Sequence, residues 1–144
     1  MVPIILKKSM LRIILAVIVG FVVWSILWLG SDQVLINASK DWYGAHQHGF
    51  ETAMLNETPF MPDSTILLMH LVRAVIISLM SGFLAAFIAG ENKKAPLALG
   101  ILLFLFGLMF EIMAWNYLPL WYHAIFLLLL IPVTVIGGRL RTRI

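Results

Sequence analysis

The sequence predicts an all-α fold, an integral membrane four-helix bundle with one long outer loop between the first and second spans. Two observations carry this. Of 144 residues, 62% are hydrophobic and 12% are charged, whereas a soluble domain carries roughly a quarter of its residues as Asp, Glu, Lys or Arg. The apolar residues also fall into four runs, over about 10–30, 65–89, 96–116 and 118–138, and a hydrocarbon core of ~30 Å takes about 20 such residues per helix. The chain therefore reads as a single membrane domain over 1–144, with 31–64 as the outer loop. There is no cysteine, which excludes disulfides, thiolate metal centres and cysteine nucleophiles.

The first span is the shortest and lengthens if Lys8 and Arg12 extend their charged heads toward the headgroups. A signal peptide is the competing reading of 7–29, but no A-x-A-like cleavage site follows Leu29. The loop that follows holds five of the seven acidic residues, Asp32, Asp41, Glu51, Glu57 and Asp63. Within it, Asp41, Trp42, Tyr43, Phe50, Ala53 and Met54 are spaced for a short amphipathic surface helix, which Gly44 and Gly49 oppose. Pro59 and Pro62 then break the chain, and Asp63 or Ser64 is placed to cap the second span.

Small residues recur every fourth position on the second span, at Ser78, Gly82, Ala86 and Gly90. Such a stripe lets another helix approach closely, and a contact within the bundle is the simplest use for it, with Gly100 and Gly107 on the third span as the candidate partner surface. The connection over 90–96 is short, so spans two and three are expected to be antiparallel neighbours. The last connection, 116–119, is tighter, and Pro119 suits the first turn of the helix it precedes. Pro132 lies inside the fourth span and is expected to kink it.

Sidedness follows from Lys and Arg in the short segments. Lys7, Lys8, Arg12, Lys93, Lys94, Arg139, Arg141 and Arg143 lie on one side, against Lys40 alone in the first loop. Both termini and the second loop are therefore expected in the cytoplasm and 31–64 outside. The net charge of +3 is a topology signal rather than a mark of nucleic-acid binding. Trp28, Trp115, Tyr117, Trp121 and Tyr122 fall at the opposite ends of the spans, where aromatic rings favour the headgroup level.

Four ionisable residues lie inside spans: His70, Arg73, Glu111 and His123. Charge is costly in hydrocarbon unless paired or facing a cavity, and all four fall in the outer half of the membrane at a similar depth. The economical account is an Arg73–Glu111 ion pair holding spans two and three in register. The functional account is a polar pocket open to the outer face. A sharper version makes His70 and His123 axial ligands to a haem or a magnesium chlorin, since bundles build such sites from facing helices. His46 and His48 form an H-x-H pair in the loop that is a candidate for holding a metal, although no further spaced ligands accompany it. Phosphate-cradling glycine loops, G-x-S-x-G and H-E-x-x-H are absent. The sequence names no cofactor.

Three stretches, SGFLAAFIAG (residues 81–90), MAWNYLPLW (113–121) and IPVTVIGGRLR (131–141), give the half from Leu71 to Arg141 a pattern that resembles a loose group of small bacterial four-helix integral membrane proteins of unassigned function. The resemblance implies a bundle in a bacterial inner membrane and carries no activity across. The functional expectation is a non-enzymatic accessory or structural subunit of a larger membrane complex, in contact with the bilayer and other membrane subunits and not with nucleic acid. The alternative is a ligand-, quinone- or haem/chlorin-binding membrane protein that uses the polar pocket in the outer half of the bundle.

Overall fold

A computed structural model describes residues 2–141, with side chains from Lys8 onward; Arg143 and the Lys7 side chain, both counted in the charge reading, lie outside the described residues. The described chain is helical: α1 (Val2–Ala38), a π-helical turn (Lys40–Gly44), α2 (Ala45–Asn56), α3 (Ser64–Ala89), α4 (Lys94–Met113) and α5 (Leu120–Leu140). Four of these helices, all but α2, are long and apolar enough to cross a membrane. The protein is an all-helical membrane bundle.

The largest departure from expectation is the length of α1. Its 37 residues span about 55 Å at ~1.5 Å per residue, well beyond the hydrocarbon core. Hydropathy falls off at Gly30, but nothing there breaks a helix. Polar side chains in the extension turn back onto their own backbone: Ser31 Oγ donates to the Trp28 carbonyl at 3.1 Å and Asn37 Nδ2 to Gln33 at 2.9 Å, which removes them from competition with the helix. The first quarter of the expected outer loop, residues 31–38, is thus a continuation of α1. The expected surface helix exists as the π turn plus α2, and α2 ends at Glu57 in the left-handed conformation, φ 52°.

Asp63 caps α3 as the sequence suggests, its Oδ1 accepting from the Thr65 amide at 2.8 Å. Its Oδ2 accepts from Trp42 Nε1 at 2.8 Å, so one carboxylate joins the π turn to the start of α3. The Trp42 bond, with the backbone donors behind it, holds the Asp63 carboxyl below the usual carboxylate range.

The stripe on α3 meets α5 rather than α4. A Cβ on Gly82 would collide with the Thr134 carbonyl oxygen, and one on Gly137 with the Leu79 carbonyl oxygen, so the two backbones touch reciprocally. Gly100 and Gly107, the expected partner surface, also face α5: a Cβ there would lie 3.2 Å from Ile131 Cα and 2.8 Å from Leu130 Cδ1. The two glycines of α5, Gly137 and Gly138, complete the contact that the sequence reading assigned to α4. Ser78 serves α1 instead, accepting from Trp24 Nε1 at 3.0 Å. Ala86 is buried, and Gly90 ends α3 at φ 71°, a conformation natural to glycine.

Arg12, Lys93, Lys94 and Arg139 gather at one end of the bundle. Arg12 donates from Nη2 to the Ile88 carbonyl at 3.0 Å, and Pro96 abuts Gly138, which ties the ends of α1, α3, α4 and α5 together. Here Glu91 accepts from the amides of Lys93, Lys94 and Ala95 at 2.8, 2.8 and 2.7 Å, filling the donor vacancies of the first turn of α4. Partial burial pushes its carboxyl up, but the three amides outweigh this and leave it below the ordinary value of 4.5. A depressed folded-state pKa contributes stability above the unfolded value that is lost as pH falls through the folded one. Glu91→Gln is accordingly expected to lower the melting temperature in detergent at pH 7 and to match the wild type once acid protonates Glu91; an equal deficit at both pH values would remove the carboxylate from the cap.

Candidate functional site

Arg73 is the hub at the opposite end. From α3 its Nη2 donates to the Trp28 carbonyl at 2.6 Å and to Ser31 Oγ at 2.9 Å, and its Nε donates to Ser31 Oγ at 3.0 Å. Its Nη1 donates to Tyr43 Oη and to His70 Nδ1, both at 2.9 Å, and lies 3.8 Å from Asp32 Oδ1. The guanidinium carbon sits 4.1 Å over the Trp28 ring, a cation–π contact. Tyr43, fully buried, donates a hydrogen bond from its own hydroxyl to Asp32 Oδ1 at 2.5 Å. Burial first, and then that bond, push the Tyr43 hydroxyl well above the usual phenol range, so it remains a donor. Gln47 adds a second donor to the same Asp32 oxygen at 3.0 Å.

The Arg73–Glu111 pair expected from the sequence does not form. The extension of α1 delivers Asp32 to Arg73, while Glu111 turns to α5 and bonds His123 through Oε2 and Nδ1. The reason is topological. Glu111 and His123 lie equally far from Tyr117, at the turn between two antiparallel helices, and so face each other. His123 Nε2 points to the Trp115 carbonyl at 3.4 Å, which can only accept, so that nitrogen carries a proton. One further proton is shared along the Glu111–His123 bond, and the pair has zero net charge whichever partner holds it.

Between these clusters lies a cavity of about 320 Å³. Its deep part is apolar, lined by Phe21, Leu103, Phe106 and Leu130, and its end beneath α2 is polar, with Asp32, Gln47, His70, Glu111 and Tyr122. Of the four residues read from the sequence, His70 and Glu111 face the cavity, and Arg73 and His123 stand behind them as their partners. Leu29 and Phe110 line the cavity and are also 64% and 60% exposed. The cavity therefore opens sideways, between α1 and α4, toward lipid.

Three polar residues at the wall are largely buried and incompletely hydrogen-bonded. His70 is 7% exposed, Glu111 5% and Tyr122 4%. Arginine only donates, so His70 Nδ1 must accept from Arg73 and the imidazole proton sits on Nε2. No described residue bonds His70 Nε2, Glu111 Oε1 or the Tyr122 hydroxyl. Arg73 thus fixes His70 as a donor aimed at the space.

The axial-ligand reading does not fit this arrangement. His123 has both nitrogens engaged, and a His70 Nε2 bearing a proton is a donor rather than a ligand. The loop pair separates likewise: His48 is exposed, while His46 accepts from the Asp63 amide at 3.1 Å through Nε2 and meets Gln47 Oε1 at 3.0 Å through Nδ1. Among the described residues no three metal-binding side chains gather. Asp32, Tyr43, Gln47 and Tyr122 are the site residues that sequence reading missed. Trp28 and Tyr122, expected at the headgroups, turn inward, whereas Trp115 and Trp121 are exposed. Comparison with protein-family models, curated proteins and solved structures finds no match for the chain.

Proposed function

We propose that the protein binds an uncharged amphiphilic molecule, which enters from one leaflet of the membrane and lies in the cavity with its polar head beneath α2. The observation that carries this reading is a set of three largely buried polar residues, His70, Glu111 and Tyr122, each with a polar atom that no described residue bonds, at one end of an otherwise apolar space. A pocket of a few hundred Å³, mostly apolar with a few convergent polar groups, is the usual form of a small-molecule site. The head is uncharged because the site's own charges cancel, Arg73 against Asp32 and Glu111 with His123, and leave none for a ligand. This is binding without chemistry, and it favours the pocket over the accessory-subunit role. The test is extraction of the protein purified in mild detergent from its native membrane, followed by mass spectrometry. A neutral amphiphile in fixed ratio to protein is expected. An empty cavity together with co-purifying membrane subunits would overturn the reading in favour of the accessory role.

The clustered cations support a cytoplasmic basic end and an external α2, and the resemblance to small bacterial bundles supports an inner membrane. In a chain without cysteine, Thr52→Cys is then expected to react with a membrane-impermeant maleimide in whole cells and Asn92→Cys to be protected; the reverse pattern would invert the topology.

A further inference from the structure

We infer that the amphiphile's head is a flat conjugated ring bearing carbonyl oxygens, joined to an isoprenoid or similar apolar tail, as in a prenylated quinone. This rests on the proposed binding function and names its ligand class. The first observation is the donor set. His70 Nε2 and the Tyr122 hydroxyl can both donate and have no described protein acceptor, and their rings are neighbours in the cavity wall, with centroids 6.2 Å apart. A carbonyl oxygen accepts from such a pair.

The second observation is the wall. Around the polar end the rings are arranged in contact, Trp28 with Phe126 at 5.8 Å and Tyr122 with Phe126 at 5.8 Å, the latter stacked. Flat aromatic surfaces of this kind favour offset stacking on a planar ring over packing on an aliphatic ester or alcohol. The third is the exit. The opening between Leu29 and Phe110 is apolar and lets a long tail continue into the hydrocarbon while the head stays enclosed. A diacylglycerol or a polyprenol satisfies the exit but not the ring wall.

The experiment uses full-length protein in nanodiscs of synthetic phosphatidylcholine, with protein-free nanodiscs as the partition control. The probes are a short-tailed ubiquinone, a short-tailed menaquinone, a diacylglycerol and a polyprenol, each quantified after separation and extraction. At least one quinone is expected to bind above the partition background, and Tyr122→Phe, which deletes only a hydroxyl, is expected to weaken it about fivefold, the order of one neutral hydrogen bond. The same variant should leave the melting temperature unchanged, since nothing in the protein bonds that hydroxyl. Binding of the diacylglycerol or polyprenol without either quinone would overturn the ring assignment and keep the binding function. Binding of none of the four would overturn both, and quinone binding indifferent to Tyr122→Phe would overturn the donor geometry.

Discussion

Arg73→Leu is expected to destabilise the bundle by about 3–5 kcal/mol, the cost of breaking a largely buried charge pair by removing one partner. The Arg73 side chain is 11% exposed and Asp32 20%, so the carboxylate left behind would have little water to replace its partner. The loss spreads beyond that pair. Ser31, Tyr43 and His70 would each forfeit a donor, and His70 would no longer be held with its proton on Nε2. Arg73→Lys is expected to rescue little, because a point ammonium cannot serve five partners arranged around a planar fork. Arg73→Leu/Asp32→Leu should recover much of the stability, since apolar replacement of a buried pair is often near neutral, yet it should also lose the cavity's ligand. Thermal unfolding in detergent, followed by tryptophan fluorescence, separates these cases. A single Arg73→Leu variant as stable as the wild type would dismiss the hub.

What the sequence made legible was the part governed by hydropathy and by local chemistry. Four apolar runs of spanning length sufficed for the architecture, and two prolines narrowed the cap of α3 to Asp63 or Ser64, of which Asp63 makes it. The depth of His70, Arg73, Glu111 and His123 was also readable, because distance from the end of a span is simple counting. Their partners were not, for two separate physical reasons. Asp32 was hidden because hydropathy marks where lipid ends and not where a helix ends; α1 continues through Ser31 and Asp32, and Trp28, Ser31 and Asp32 lie at three- and four-residue spacing on one face. The Glu111–His123 pair was present in the sequence as equal distances from a tight turn, a signal outweighed there by the simpler rule that opposite charges pair. Helix rotation, which sends Trp28 of α1 and Tyr122 of α5 to the cavity, follows from packing between helices and has no counterpart in the composition of the spans.

Gly82→Ala is the second substitution expected to have a large effect, about 3 kcal/mol, at the upper end of what overpacking usually costs. Gly82 and Gly30 differ in what a side chain would meet, and the contrast makes the test. At Gly30, a Cβ meets nothing within 4 Å, so Gly30→Ala in the middle of α1 is expected to be neutral or to stabilise by about 1 kcal/mol through helix propensity. At Gly82, the added methyl meets the carbonyl oxygen of Thr134, a backbone atom that cannot swing aside. Thr134 is itself fixed, buried and with its hydroxyl donating to the Leu130 carbonyl at 2.7 Å. The only relief is to move α5 away from α3, and that motion loosens the reciprocal contact between Gly137 and Leu79. Because one displacement relieves both clashes, Gly82→Ala/Gly137→Ala should cost clearly less than the sum of the two single changes, the signature of coupled neighbours. Additive costs would mean that the two glycines accommodate separate local strains and that α3 and α5 do not move as a unit. Melting curves of the four variants in one detergent decide between a single stiff seam and two independent contacts.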